Sequence, residues 1–88
     1  MPLRRRTLDL PRDPETTRLA ALALAVRERR EQLGLRQREL ADLAAVAYGT
    51  VQAIERARSG VGIGKILDVL AVLGLDLNIE IGTGVTRR

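Results

Sequence analysis

Apolar positions in the first half of the chain recur at helical spacing. In "DPETTRLAALALAVRERREQLG" Leu19, Leu22, Ala23, Val26 and Leu33 fall on one stripe, which predicts an amphipathic helix. Asp13 suits the N-cap, Pro14 the first helical position, Glu15 the positive helix end and Gly34 the C′ residue. "RQRELADLA" sets Leu40, Leu43 and Ala44 on one face, a helix of barely two turns from about Gln37. After Ala45, Val46 and Ala47, a helix from about Tyr48 to Arg56 turns Val51 and Ile54 inward. Helices this short do not bury themselves, so both must share a core with the first. "SGVGIGKILDVLAVLGL" opens as a glycine-rich loop and continues as a helix with Ile63, Ile66, Leu67, Leu70 and Leu73 at 3–4 spacing, ended by Gly74.

The period then changes. Leu75, Leu77, Ile79 and Ile81 alternate with Asp76, Asn78 and Glu80, the pattern of a half-buried strand over 75–81. A solitary strand needs ladder partners for its N–H and C=O groups. A second copy of the chain supplies them in a two-fold antiparallel pair, and "TLDL" (Thr7 to Leu10) is the alternative within the same chain. Residues 1–12, with Pro2, Pro11 and three consecutive arginines, read as a mobile basic arm, and residues 82–88 as a flexible tail. One folded domain over 13–81 remains, and at 88 residues for the whole chain association is an expected aid to its small core.

Composition narrows the chemistry. With no Cys and no His the chain offers neither disulfides nor an imidazole metal site, and its carboxylates do not cluster, so neither metal nor cofactor is expected. "GVGIGK" lacks the first glycine and the Ser/Thr of a phosphate-binding loop, and no nucleophile and base stand together, so the chain is not expected to be an enzyme. The longest apolar run, Leu19 to Val26, is far shorter than the ~20 residues that span a bilayer, and no signal-peptide plan fits, so a cytoplasmic location without membrane contact is expected. Net charge is +4, and residues 1–58 carry 12 Arg against 8 acids, which suggests a half that faces a polyanion.

Gln37 to Arg56, "QRELADLAAVAYGTVQAIER", resembles the helix-turn-helix of Cro/CI-type repressors, the xenobiotic-response-element-like (XRE) family. The likeness includes the preceding "REQLGL", Gln37, Glu39-Leu40-Ala41, Val46, Val51, Ile54 and Glu55, and extends over roughly residues 19–81. "GIGKILDVLAVLGLDLNIEI" is similar to the HipB-like antitoxins, whose fold ends in a strand paired across a dimer. The family commonly has Gly in the turn and Ser or Thr at both helix caps, where this chain has Ala45, Arg36 and Ala47. A missing side-chain cap costs about 1 kcal/mol.

The resemblance implies an all-α, lambda-repressor-like DNA-binding domain with one C-terminal β-strand pairing across a homodimer. It implies Gln37 as a phosphate contact, whose bland alternative is an ordinary exposed helix-start residue, and Tyr48, Gly49, Thr50, Gln52, Ala53 and Arg56 as the outward face of a recognition helix. Gly49 and Ala53 carry no donor, which leaves direct readout to Tyr48, Thr50, Gln52 and Arg56 and gives DNA shape a larger share. Tyr48 alternatively caps the helix pair as a small apolar lid, and Arg56 and Arg58 are either phosphate contacts or solvated helix-end cations. Arg4 to Arg6 likewise track DNA or are simply solvated. Arg30 and Glu55 stand where similar repressors place a structural ion pair, and Leu75, Leu77, Ile79 and Ile81 are the dimerisation residues. The partners so implied are double-stranded DNA with a palindromic operator, a second copy of the chain, and a cognate HipA-like kinase toxin. A stand-alone repressor without a toxin, and a protein-interaction module that does not read DNA, are the competing readings.

Overall fold

A computed structural model describes residues 14–79. Its helices are α1 (Pro14–Gln32), α2 (Gln37–Ala44), α3 (Tyr48–Glu55) and α4 (Ile63–Leu73). α2 packs on α3 and α4, and α1 lies across α3 and reaches α4, so the four enclose one core. Val26, Leu40, Val51, Val69 and Leu73 are fully buried at its centre, joined by Ala41, Ala44, Ile54 and Leu70. Neither α2 nor α3 exceeds 8 residues. Each is held by its buried stripe rather than by intrinsic propensity.

All four helices end the same way. Gly34, Ala45, Ala57 and Gly74 have left-handed φ of 72°, 57°, 58° and 71°. At each end the following N–H returns to a carbonyl five residues back: Leu35 to Arg30 (3.0 Å), Val46 to Ala41 (3.0 Å), Arg58 to Ala53 (2.9 Å) and Leu75 to Leu70 (2.9 Å). These bonds satisfy carbonyls that a helix end otherwise leaves bare. Gly34 and Gly74 adopt that conformation freely, whereas the Cβ of Ala45 and Ala57 is crowded by the carbonyl oxygen. Ala45→Gly and Ala57→Gly are therefore each expected to stabilise the fold by about 1 kcal/mol, a rise of roughly 4–8 °C in Tm for a domain this small. A thermal melt of each variant checks this, and an unchanged or lower Tm would contradict it.

Helix starts are less conventional. Neither Arg36 nor Ala47 places a side-chain acceptor on its helix. At α2 only half of a capping box operates, because a guanidinium has no acceptor. The Glu39 carboxylate accepts the Arg36 backbone N–H at 2.8 Å. The expected caps at Asp13, the arm over 1–12 and the tail over 82–88 lie outside the described residues.

Several leucines expected inside are exposed. On α2 the buried positions are Leu40, Ala41 and Ala44, and Leu43 is 62% exposed. At about 100° per residue Leu43 points about 110° from the middle of that arc. The alanines take the contact because a small side chain lets short helices approach closely. α4 buries Val69, Leu70 and Leu73, which leaves Ile63 and Leu67 on its flank, both exposed. Leu33 keeps the phase of α1 but follows its last residue, Gln32, and the chain departs through Gly34 with Leu33 exposed.

After Gly74 the segment expected to be a strand runs without a ladder among the described residues. Leu75 packs on the core, Leu77 borders an open groove that Leu22 and Ala25 of α1 also line, and Ile79 is 95% exposed. Glu80 and Ile81 lie outside the described residues.

Candidate nucleic-acid interface

The α2 and α3 pair is locked from below by one buried carboxylate. The Glu55 side chain is 3% exposed. Arg30 meets it as a two-pronged pair, Nε donating to Oε2 at 2.7 Å and Nη2 to Oε1 at 3.0 Å. From the start of α2, Gln37 Nε2 donates to Oε1 at 3.1 Å. Arg30 Nη1 also donates to the Leu35 carbonyl at 2.9 Å, and Arg27 Nη2 to the Glu55 carbonyl at 3.2 Å. Side chains from α1 and α2 thus converge on the last residue of α3 and fix its attitude, and the linker carbonyl of Leu35 steadies Arg30.

The hydrogen bond to Glu55 raises the Arg30 pKa above its ordinary value, against the lowering effect of burial. A raised folded-state pKa contributes stability below the unfolded value and loses it only as pH climbs through the folded one. For an arginine that window lies in strong alkali, so Arg30 holds its charge throughout the working range.

Above this lock lies the outward face of α3. Val51 and Ile54 face the core, and Tyr48, Gln52 and Arg56 follow one another at four-residue spacing on another side of the helix. Gln52 Nε2 donates to the Tyr48 hydroxyl at 3.1 Å, and the Tyr48 ring packs partly on the core, so Tyr48 is both an apolar lid and a surface group. Thr50 and Gln52 are half-buried, Arg56 and Arg58 exposed. A Cβ built on Gly49 meets nothing within 4 Å. Nothing among the described residues therefore calls for glycine there, although it costs a helix roughly 0.5–1 kcal/mol relative to alanine. Gly49 instead leaves a flat, open place beside Tyr48 where another molecule has room to approach.

Gln37 is half-buried, and one of its two amide hydrogens is engaged by Glu55, leaving the other and its backbone N–H at the first position of α2. Arg27 and Arg38 were not among the expected site residues. Arg27 lies three residues before Arg30, on the same side of α1, which is the signal that finds it. Arg38 is held by Tyr48, its guanidinium carbon 4.1 Å from the ring centroid, a contact no local spacing announces. Among the described residues no group of acids could hold a metal ion, and no helix is long and apolar enough to cross a membrane.

A short helix, a turn and a second short helix whose outer face is open are the parts of a helix-turn-helix. The helix-turn-helix family matches residues 26–79, well over half of the chain, from the middle of α1 to the segment after α4. The chain belongs to that family, in its Cro/CI or XRE form, and is a DNA-binding regulator of that type. No curated protein matches it.

Proposed function

We propose that the chain is a sequence-specific transcriptional repressor that binds a palindromic operator as a homodimer. Gln37, Tyr48, Gly49, Thr50, Gln52, Ala53, Arg56 and Arg58 form its DNA-facing surface. The observation that carries this is the outer face of α3, open at Gly49, bordered by exposed arginines and held in a fixed attitude by Glu55. α3 is the recognition helix in the major groove and α2 crosses the backbone. With no donor on Gly49 or Ala53, the few remaining side chains read bases and the rest of the selectivity comes from DNA shape.

Dimerisation runs through Leu75, Leu77, Ile79 and Ile81. Support lies in the alternation itself and in Leu77 and Ile79, which are exposed and have no ladder within the described residues. The same C-terminal segment carries the likeness to HipB-like antitoxins. The narrower reading is therefore an antitoxin that neutralises a HipA-like kinase and represses the operon they share, from a cytoplasmic, nucleoid-associated pool. A kinase reading frame beside the gene, and co-purification of its product with loss of kinase activity, tests that role. Operator binding without such a partner is the stand-alone repressor.

The dimer has its own test. Leu77→Asp/Ile79→Asp removes apolar side chains worth ~1.5–3 kcal/mol each when buried. It is expected to give a folded monomer, its association weakened at least about a hundredfold. Operator footprints should show two half-sites ~34 Å apart for the wild type. A variant that still sediments as a dimer contradicts this interface.

A further inference from the structure

Arg38 stands at the second position of α2, exposed, with its guanidinium carbon 4.1 Å from the centroid of the Tyr48 ring. Among the described residues no carboxylate lies within ion-pair distance of it, although Glu39 and Asp42 share its helix. Glu39 is turned back on the Arg36 N–H. Tyr48 is itself held, by Gln52 at its hydroxyl and by the core beneath its ring.

The cation is thus positioned by a ring face and not by an acid. An acid would cancel its charge, whereas an aromatic quadrupole orients a guanidinium and leaves it charged for another partner. Arg36, Gln37, Arg38 and Tyr48, together with the carboxylates of Glu39 and Asp42, border one open depression where α2 meets the start of α3. In a docked helix-turn-helix this is where the backbone-crossing helix meets the groove-entering one.

We propose that Arg38, shelved on Tyr48, is a phosphate clamp of the DNA-facing surface, and that Tyr48 acts there as a positioning residue. The inference rests on the repressor reading and extends it to a residue outside α3. It also gives Tyr48 a task suited to a face that has no donor at Gly49 or Ala53: the ring brings in a charge from the neighbouring helix.

The test is a salt titration of binding to the protein's own upstream DNA and to a scrambled duplex, with Arg38→Ala, Arg38→Lys, Tyr48→Phe, Tyr48→Ala and Arg38→Ala/Tyr48→Ala, each checked by its melting transition to be folded at the assay temperature. Arg38→Ala should weaken both duplexes about fivefold to tenfold and lower the slope of log affinity against log salt by about 0.9. Arg38→Lys should keep the slope and lose part of the affinity, since a point charge replaces a fork. Tyr48→Phe should retain the clamp, and the double alanine variant should lose less than the product of its single losses. Because the chain has one Tyr and no Trp, the near-UV circular dichroism of free Arg38→Ala also reports loss of the stack.

Unchanged affinity and slope in Arg38→Ala, against specific binding by the wild type, overturn the clamp alone. A loss confined to the operator overturns the phosphate assignment in favour of a base contact. Additive losses in the double variant overturn the shelf. Failure of the wild type to prefer its operator overturns the repressor reading, and the clamp with it.

Discussion

Arg30→Met is expected to destabilise the domain by about 3–5 kcal/mol, because it leaves the Glu55 carboxylate buried without its two-pronged partner. Small domains have only ~5–15 kcal/mol of total stability, so much of the variant population should be unfolded well below the wild-type transition. Arg27 does not rescue it: its Nε stands 4.0 Å from Oε1 and its side chain is half exposed. Glu55→Leu should be similarly harmful, since it strands the Arg30 guanidinium and removes the acceptor of Gln37. The double variant Arg30→Met/Glu55→Leu should recover most of the loss, because replacing both partners of a buried pair with apolar groups is often neutral. Recovery should stay incomplete, since the Leu35 carbonyl and the Gln37 amide each lose a bond. Denaturant melts of the four proteins measure this cycle. Purely additive losses would show that the two residues do not act as a pair.

The second large effect falls on DNA binding. Arg56 and Tyr48 lie two turns apart on the outer face of α3, Arg56 exposed and Tyr48 partly so. Tyr48→Ala should cost the operator about 1–3 kcal/mol, some fivefold to 150-fold in affinity, through lost base contacts and lost support for Gln52. Arg56→Ala should weaken operator and random duplex alike and flatten the salt dependence by about 0.9 if it neutralises a phosphate. It should weaken the operator selectively if it reads a base. Fluorescence anisotropy with both duplexes separates the cases. Unchanged binding in both variants would turn the face of α3 away from DNA and point to a protein-interaction surface.

Periodicity located α2 through Leu40 and Ala44 and α3 through Val51 and Ile54, and Gly34 and Gly74 mark helix ends by their conformational freedom. Which leucines are buried was less legible. Hydrophobicity ranks Leu43 above Ala41, but a close helix crossing selects the small residue and turns Leu43 out. Ala45 and Ala57 hide two helix ends behind a residue type that rarely adopts a left-handed φ.

Of the site, Arg30 fits the apolar phase of α1 and Glu55 follows Val51 by one turn, but only the family resemblance suggested that they pair. The remainder of the lock joins residues far apart in sequence, Gln37 to Glu55 across 18 positions and Arg27 to the Glu55 carbonyl across 28. No local pattern encodes such contacts. Alternation over 75–81 reads as a strand, but over 75–79, the part among the described residues, the chain forms no ladder.

Reading of an operator by α3 is the property on which the proposed function turns. Its most direct measurement is the affinity of the purified protein for its own upstream DNA and for a scrambled duplex across a range of salt. Specific binding by a dimer is expected, at least ~10³-fold tighter than to random sequence, with log affinity falling steeply and linearly in log salt. Equal and weak binding to both duplexes by a folded dimer would contradict it.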